Sequence, residues 1–88
     1  MEGKERETAM DEAIVHEIAE WMLAELKFRG ILHQEEAVAH IRGKYGEQYL
    51  YTNENGNVSI DKAVKKTFKK LHGGRAAWER DGFFWGWT

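Results

Sequence analysis

"SIDKAVKKTFKKLHGG" (residues 59–74) carries five lysines and one acid, Asp61, in a chain whose formal net charge is −2. At roughly 100° per residue, Ile60, Val64, Phe68 and Leu71 fall on one side of a helix, flanked by Ala63 and Thr67. Lys62, Lys65, Lys66, Lys69 and Lys70 spread around the opposite side. Ser59 is the expected N-cap, and Asp61 adds negative charge to the first turn. Gly73 and Gly74 end the helix.

Downstream, "RAAWERDGFFWGW" (75–87) reads as a β-hairpin. Asp81-Gly82 is the favoured pair for a two-residue type I′ turn. That turn pairs Arg80 with Phe83, Glu79 with Phe84 and Trp78 with Trp85. By strand alternation Trp78, Phe83, Trp85 and Trp87 share one face, expected to be buried against the helices, with Trp78 and Trp85 mostly covered. Phe84 falls on the other face beside Glu79 and is expected among the most exposed aromatics. Trp87 has few later residues to cover it.

Upstream, residues 1–9 read as a flexible tail and residues 10–88 as a single domain. From about Met10, Ile14, Ile18, Met22 and Leu26 recur every four residues, with Val15, Trp21 and Leu23 widening the stripe. Thr8 or Asp11 can cap this long helix, Lys27 and Arg29 suit its last turn, and Gly30 stops it. "ILH" (31–33) is a short strand. A second helix over Gln34–Gly43 turns Ala37, Val38 and Ile41 inward. "EQYLYT" (47–52) fits either a helical turn or a strand, and "NENGN" (53–57) must turn. An EF-hand calcium loop fails here. With Gly56 at its sixth position, the first and twelfth ligands would be Tyr51 and Lys62.

The order is helix, strand, helix, helix, strand, strand. It predicts an α+β, three-helix winged helix-turn-helix-like domain with a C-terminal β-hairpin, in which the lysine-faced helix takes the recognition position. "YLYTNENGNVSIDKAVKKTFKKL" (49–71), followed by Trp78 and Trp85, resembles a small bacterial domain family of unknown function. The first helix resembles it more weakly. Proteins of this sort are similar to those carried on mobile gene cassettes. The resemblance implies a compact winged-helix-like fold and no known activity. The family has basic residues after the last tryptophan where this chain has Gly86 and Trp87, which weakens the case for nucleic-acid contact by the wing.

Several function classes fall away on composition. The chain has no cysteine, so neither a disulfide nor a thiolate metal site can staple it. No apolar run approaches the ~20 residues of a membrane span, and no signal peptide opens the chain, so a cytoplasmic protein is expected. Mean hydropathy is −0.68, and 42% of residues are hydrophobic, which suits a folded helical domain. Charge is segregated. Residues 1–25 hold eight acids and two bases, whereas residues 62–80 hold seven bases and one acid. Such polarity can orient the molecule toward a polyanion or toward another copy of itself.

No nucleophile–base pair or phosphate loop stands out. Ser59, the only serine, is better used as a cap, and "HGG" is too short to cradle phosphate. An enzyme, a cofactor and a small-molecule substrate are therefore not expected. His33, Glu36 and His40, spaced i, i+3 and i+7, can in principle hold zinc, but a solvated boundary face is the expected reading and no metal is assigned. Two binding functions remain. One is weak, sequence-tolerant nucleic-acid binding through Lys62, Lys65, Lys66, Lys69 and Lys70, since lysine meets phosphates as a point charge while base readout wants Arg, Asn or Gln. The other is a protein-interaction module, a homodimer built on the hairpin through Phe84 and Trp87.

Overall fold

The computed structural model describes residues 11–88. The expected tail over 1–9, the helix start at Met10 and the alternative cap Thr8 lie outside the described residues. Helix α1 spans Glu12–Arg29. Asp11 caps it, its Oδ1 accepting the N–H of Ala13 at 2.9 Å and of Ile14 at 3.4 Å. Gly30, with φ 83°, closes it in the left-handed region that glycine enters at no steric cost.

Strand β1 (Ile31–His33) follows at once and runs into α2 (Gln34–Lys44). Glu36 joins the three elements. Its Oε1 accepts the His33 N–H at 3.3 Å, and its Oε2 meets Arg29 Nη2 at 2.9 Å. These bonds hold the Glu36 carboxyl below the usual carboxylate range, the Arg29 guanidinium being the larger cause.

After α2 the chain departs from the expected order. A 3₁₀ turn (Glu47–Tyr49) leads into β2 (Leu50–Thr52), which pairs antiparallel with β3 (Val58–Ile60). "EQYLYT" is thus both of its readings in succession, and a hairpin stands between α2 and α3. Its loop is built on Asn53, whose Oδ1 accepts the N–H of Asn55 at 2.9 Å and of Asn57 at 3.0 Å.

Helix α3 spans Lys62–His72. Its N-cap is Asp61, which accepts the Ala63 N–H at 2.8 Å, and not Ser59. The β2–β3 ladder claims Ser59 as a buried strand residue opposite Tyr51. Ile60 also belongs to β3, and Ala63 is exposed rather than flanking the core.

Strands β4 (Ala76–Glu79) and β5 (Phe84–Trp87) form the C-terminal hairpin, with β5 between β1 and β4. The mixed content of the described residues, three α-helices with small antiparallel sheets, fits α+β. The pairs Trp78–Trp85 and Glu79–Phe84 match the expected register. The turn does not match. Neither Asp81 nor Gly82 has positive φ, as type I′ requires, and Phe83 has φ 54° instead. The connection is a four-residue loop, Arg80–Phe83, pulled toward α2 by a hydrogen bond from Gln34 N–H to the Phe83 carbonyl at 2.8 Å. Glycine is needed at 82 for a different reason. A Cβ there would lie 2.6 Å from the Phe84 ring.

Ile18, Met22 and Leu26 of α1 pack with Leu32, Ile41, Ile60, Val64 and Phe68 in one core. Trp85 is 7% exposed and meets Phe68 edge-on at 5.6 Å. Trp78 is 42% exposed, against expectation, because β4 is an outer strand with no neighbour beyond it. Phe84 is half-buried, not among the most exposed aromatics, since its ring lies over Gly82 and tilts against His33 at 5.5 Å. Trp87 is half-buried too. Lys27 and Arg75 stand over its ring at 5.7 and 5.1 Å.

Phe68→Ala removes the ring that joins α3 to Trp85. It is expected to destabilise the domain by about 3–5 kcal/mol, read as a lowered urea midpoint with an unchanged slope.

Candidate functional site

The five lysines of α3 stand opposite Val64 and Phe68. Lys62, Lys66, Lys69 and Lys70 are exposed and Lys65 is half-buried. Among the described residues none of the five lies within 4.0 Å of a carboxylate, whereas several acids of α1 are engaged elsewhere. Glu25 meets Arg29 at 3.4 Å and Glu20 meets His16 at 3.4 Å. Glu17 accepts the Tyr45 hydroxyl at 2.5 Å and lies 3.9 Å from Lys44. Burial, reinforced by that hydrogen bond, pushes the Tyr45 hydroxyl up to about 12. Among the described residues the lysine face thus has no ion-pair partner.

Lys65 differs from its neighbours in being positioned. Its Nζ donates to Ser59 Oγ at 3.3 Å and stands 5.9 Å over the Tyr51 ring. Tyr51 and Ser59 face each other across β2 and β3, so this hairpin presents an aromatic ring and a hydroxyl to the side of α3. The C-terminal hairpin closes the other side. A cleft of about 380 Å³ lies between them, lined by Tyr51, Lys65, Trp78, Arg80 and Phe83. Gln34, Asn53, Asn55 and Ser59 complete it. Four large hydrophobic residues are exposed among the described residues, and three of them line this cleft: Tyr51 (37%), Trp78 (42%) and Phe83 (49%). The fourth, Phe28, is at the end of α1. Trp78 and Phe83 meet edge-on at 6.3 Å.

Gln34 holds both walls. Its side-chain amide donates to the Val58 carbonyl of β3 at 3.1 Å, while its backbone N–H reaches Phe83. On the far side of Gln34 and Phe83 a second cleft of about 390 Å³ carries Glu35 and no lysine or arginine.

Of the residues singled out in sequence, only Lys65 enters the cleft. Phe84 and Trp87 do not line it; of the aromatics that do, Trp78 and Phe83 belong to the face expected to be buried, and Tyr51 to the segment expected as a helical turn or a strand. The signal for Tyr51 is its alternation with Leu50 in "YLYT", which becomes readable only once that segment is a strand. His33, Glu36 and His40 do not converge. Among the described residues no cluster of three or more His, Cys, Asp or Glu side chains is placed to hold a metal. Glu36 is bonded to Arg29, and His40 lies flat on Trp21, ring centroids 3.7 Å apart.

A family model described as a family of unknown function (DUF6953) matches residues 15–87. The chain belongs to that family, and the match runs from the first buried turn of α1 to the last residue of β5. No curated protein matches the chain, and no solved structure does.

The two part-buried histidines give a pH prediction. Burial lowers the His40 pKa, helped by Lys44 and opposed by Glu25, and its buried Nε2 has no hydrogen-bond partner. Burial also lowers His72, whose Nδ1 accepts the Gly74 N–H at 3.0 Å. A lowered folded-state pKa means that the neutral form is favoured in the fold. The stabilisation is complete above the unfolded value of about 6.5 and is lost as pH falls through the lower folded values. Urea midpoints should fall between pH 8 and pH 5. His40→Phe, which keeps a ring on Trp21, should flatten that dependence.

Proposed function

We propose that the chain is a nucleic-acid-binding module rather than an enzyme, in which α3 lays its lysine face along a phosphate backbone weakly and with little regard to sequence. The observation that carries this reading is the run of five lysines on one helix face with no carboxylate within ion-pair distance among the described residues. Lysines in such an array bind phosphates mainly by releasing condensed counterions, a term that depends on charge and not on base identity. The Glu25–Arg29 and Glu17–Lys44 ion pairs support it further, since they offset part of the α1 charge that would repel a polyanion.

A winged helix-turn-helix arrangement belongs to the same reading. α2 and α3 serve as the helical pair, β4–β5 as the wing, and the β2–β3 hairpin as an insertion between the helices. So does a cytoplasmic setting in a bacterium, with carriage on a mobile gene cassette. Among the described residues no helix is long and apolar enough to cross a membrane.

Replacing Lys62, Lys66 and Lys69 together by Gln should weaken binding about equally for unrelated sequences and lower the salt slope by roughly three units. Absence of binding by the wild-type chain at low salt would overturn the reading.

A second reading, a self-associating interaction module, rests on β4. Among the described residues it is an outer strand of its sheet, and it carries the exposed Trp78. Sedimentation should then show concentration-dependent dimers that Trp78→Ser shifts toward monomer. A wild-type chain that stays monomeric at high concentration removes this reading.

A further inference from the structure

The cleft between the two hairpins has a composition that a phosphate-binding helix face alone does not call for. Three exposed aromatic side chains converge there from separate segments, β2, β4 and the β4–β5 turn. Exposing three large rings at one place in an 88-residue chain forgoes burial that a small core needs. Two cations, Lys65 and Arg80, line the same cleft, and among the described residues no carboxylate does. Lys65 is continuous with the lysine face of α3, so a chain of phosphates lying on that face passes the mouth of the cleft. Asn53 spends its amide oxygen on its own loop, which leaves its amide nitrogen free to donate. A cavity of about 380 Å³ is at the scale of small-ligand pockets.

We infer that this cleft receives an unpaired nucleobase, stacked against Trp78 and its aromatic neighbours, so that the module's ligand is a single strand rather than a duplex. The inference rests on the nucleic-acid reading above and deepens it. Stacking is available only to a base whose faces are free. Every base has a π-face, so the contact adds affinity without adding sequence preference. Lys65 and Arg80 then meet the phosphates flanking that base.

The test uses fluorescence anisotropy at low salt. The probes are a fluorescein-labelled oligothymidylate of about 12 nucleotides and a fully paired duplex of equal length. The wild-type chain should bind the single strand roughly tenfold more tightly than the duplex. Trp78→Ala should erase that preference while leaving duplex binding and its dependence on Lys62, Lys66 and Lys69 in place. Because Trp78 also touches Trp85, Phe83→Asn provides a second variant. Asparagine tolerates the left-handed turn while removing the ring, and it should reduce the preference in the same direction. Circular dichroism verifies that both variants fold. Equal binding of strand and duplex, or a preference that neither variant alters, overturns the cleft inference and leaves the lysine face standing. Binding of neither probe by the wild-type chain overturns the nucleic-acid reading and this inference with it.

Discussion

Trp85 is where the separate parts of this domain become one. It sits on the central strand, with Leu32 opposite on β1 and Trp78 opposite on β4, and its ring meets Phe68 of α3 edge-on. Through Phe68 it reaches the helix pair, because α3 and α1 bury their apolar faces against each other around Ile18, Met22 and Val64. A chain of 88 residues without cysteine has few ways to hold a three-stranded sheet onto three helices. A large side chain on the central strand that also meets α3 is an economical way, since aromatics contribute the most buried area per residue. Trp87 closes the same strand from above, under Lys27 and Arg75, and its backbone N–H donates to the Gly30 carbonyl at 3.0 Å, which ties the last strand to the end of the first helix.

The electrostatic layout follows from the same packing. With α1 and α3 joined along their apolar sides, their polar sides point elsewhere, and Glu17, Glu20 and Glu25 of α1 find partners on α1 itself or at the end of α2. The lysines of α3 find none among the described residues. The lysine charge and the exposed aromatics adjoin, because Lys65 is drawn by Ser59 toward the β2–β3 hairpin. Cations and exposed aromatic rings therefore share one side of the molecule, the arrangement on which the proposed function rests.

Most of the helices were legible from local chemistry: Asp11 and Gly30 bound α1, Gln34 opens α2, and Gly73 closes α3. The misreadings share a cause. Ser59 and Asp61 are both good caps by type, and what separates them is the ladder between β3 and β2, a contact no local pattern reveals. Asp81-Gly82 has the signature of a tight turn, yet a hydrogen bond from Gln34, far back in the chain, sets another geometry. The alternation rule put Trp78 beside Trp85 correctly, but it is blind to which strand lies outermost, and that decided exposure. The cleft joins residues from β2, α3 and the C-terminal hairpin, so its existence depends on tertiary structure and not on any spacing in the sequence.

Gln34 has a consequence of its own. One residue, at the first position of α2, bonds to both hairpins, to β3 through its side chain and to the β4–β5 turn through its backbone. The donor it offers the turn is one of the N–H groups that a helix start leaves without an internal partner, so the bond completes the helix as well as the loop. Both walls of the cleft are therefore tied to the start of one helix. For the proposed ligand, walls fastened in this way lower the cost of binding. The entropy of ordering the walls has been spent in folding, and only side-chain rotamers remain to be fixed at the moment of contact.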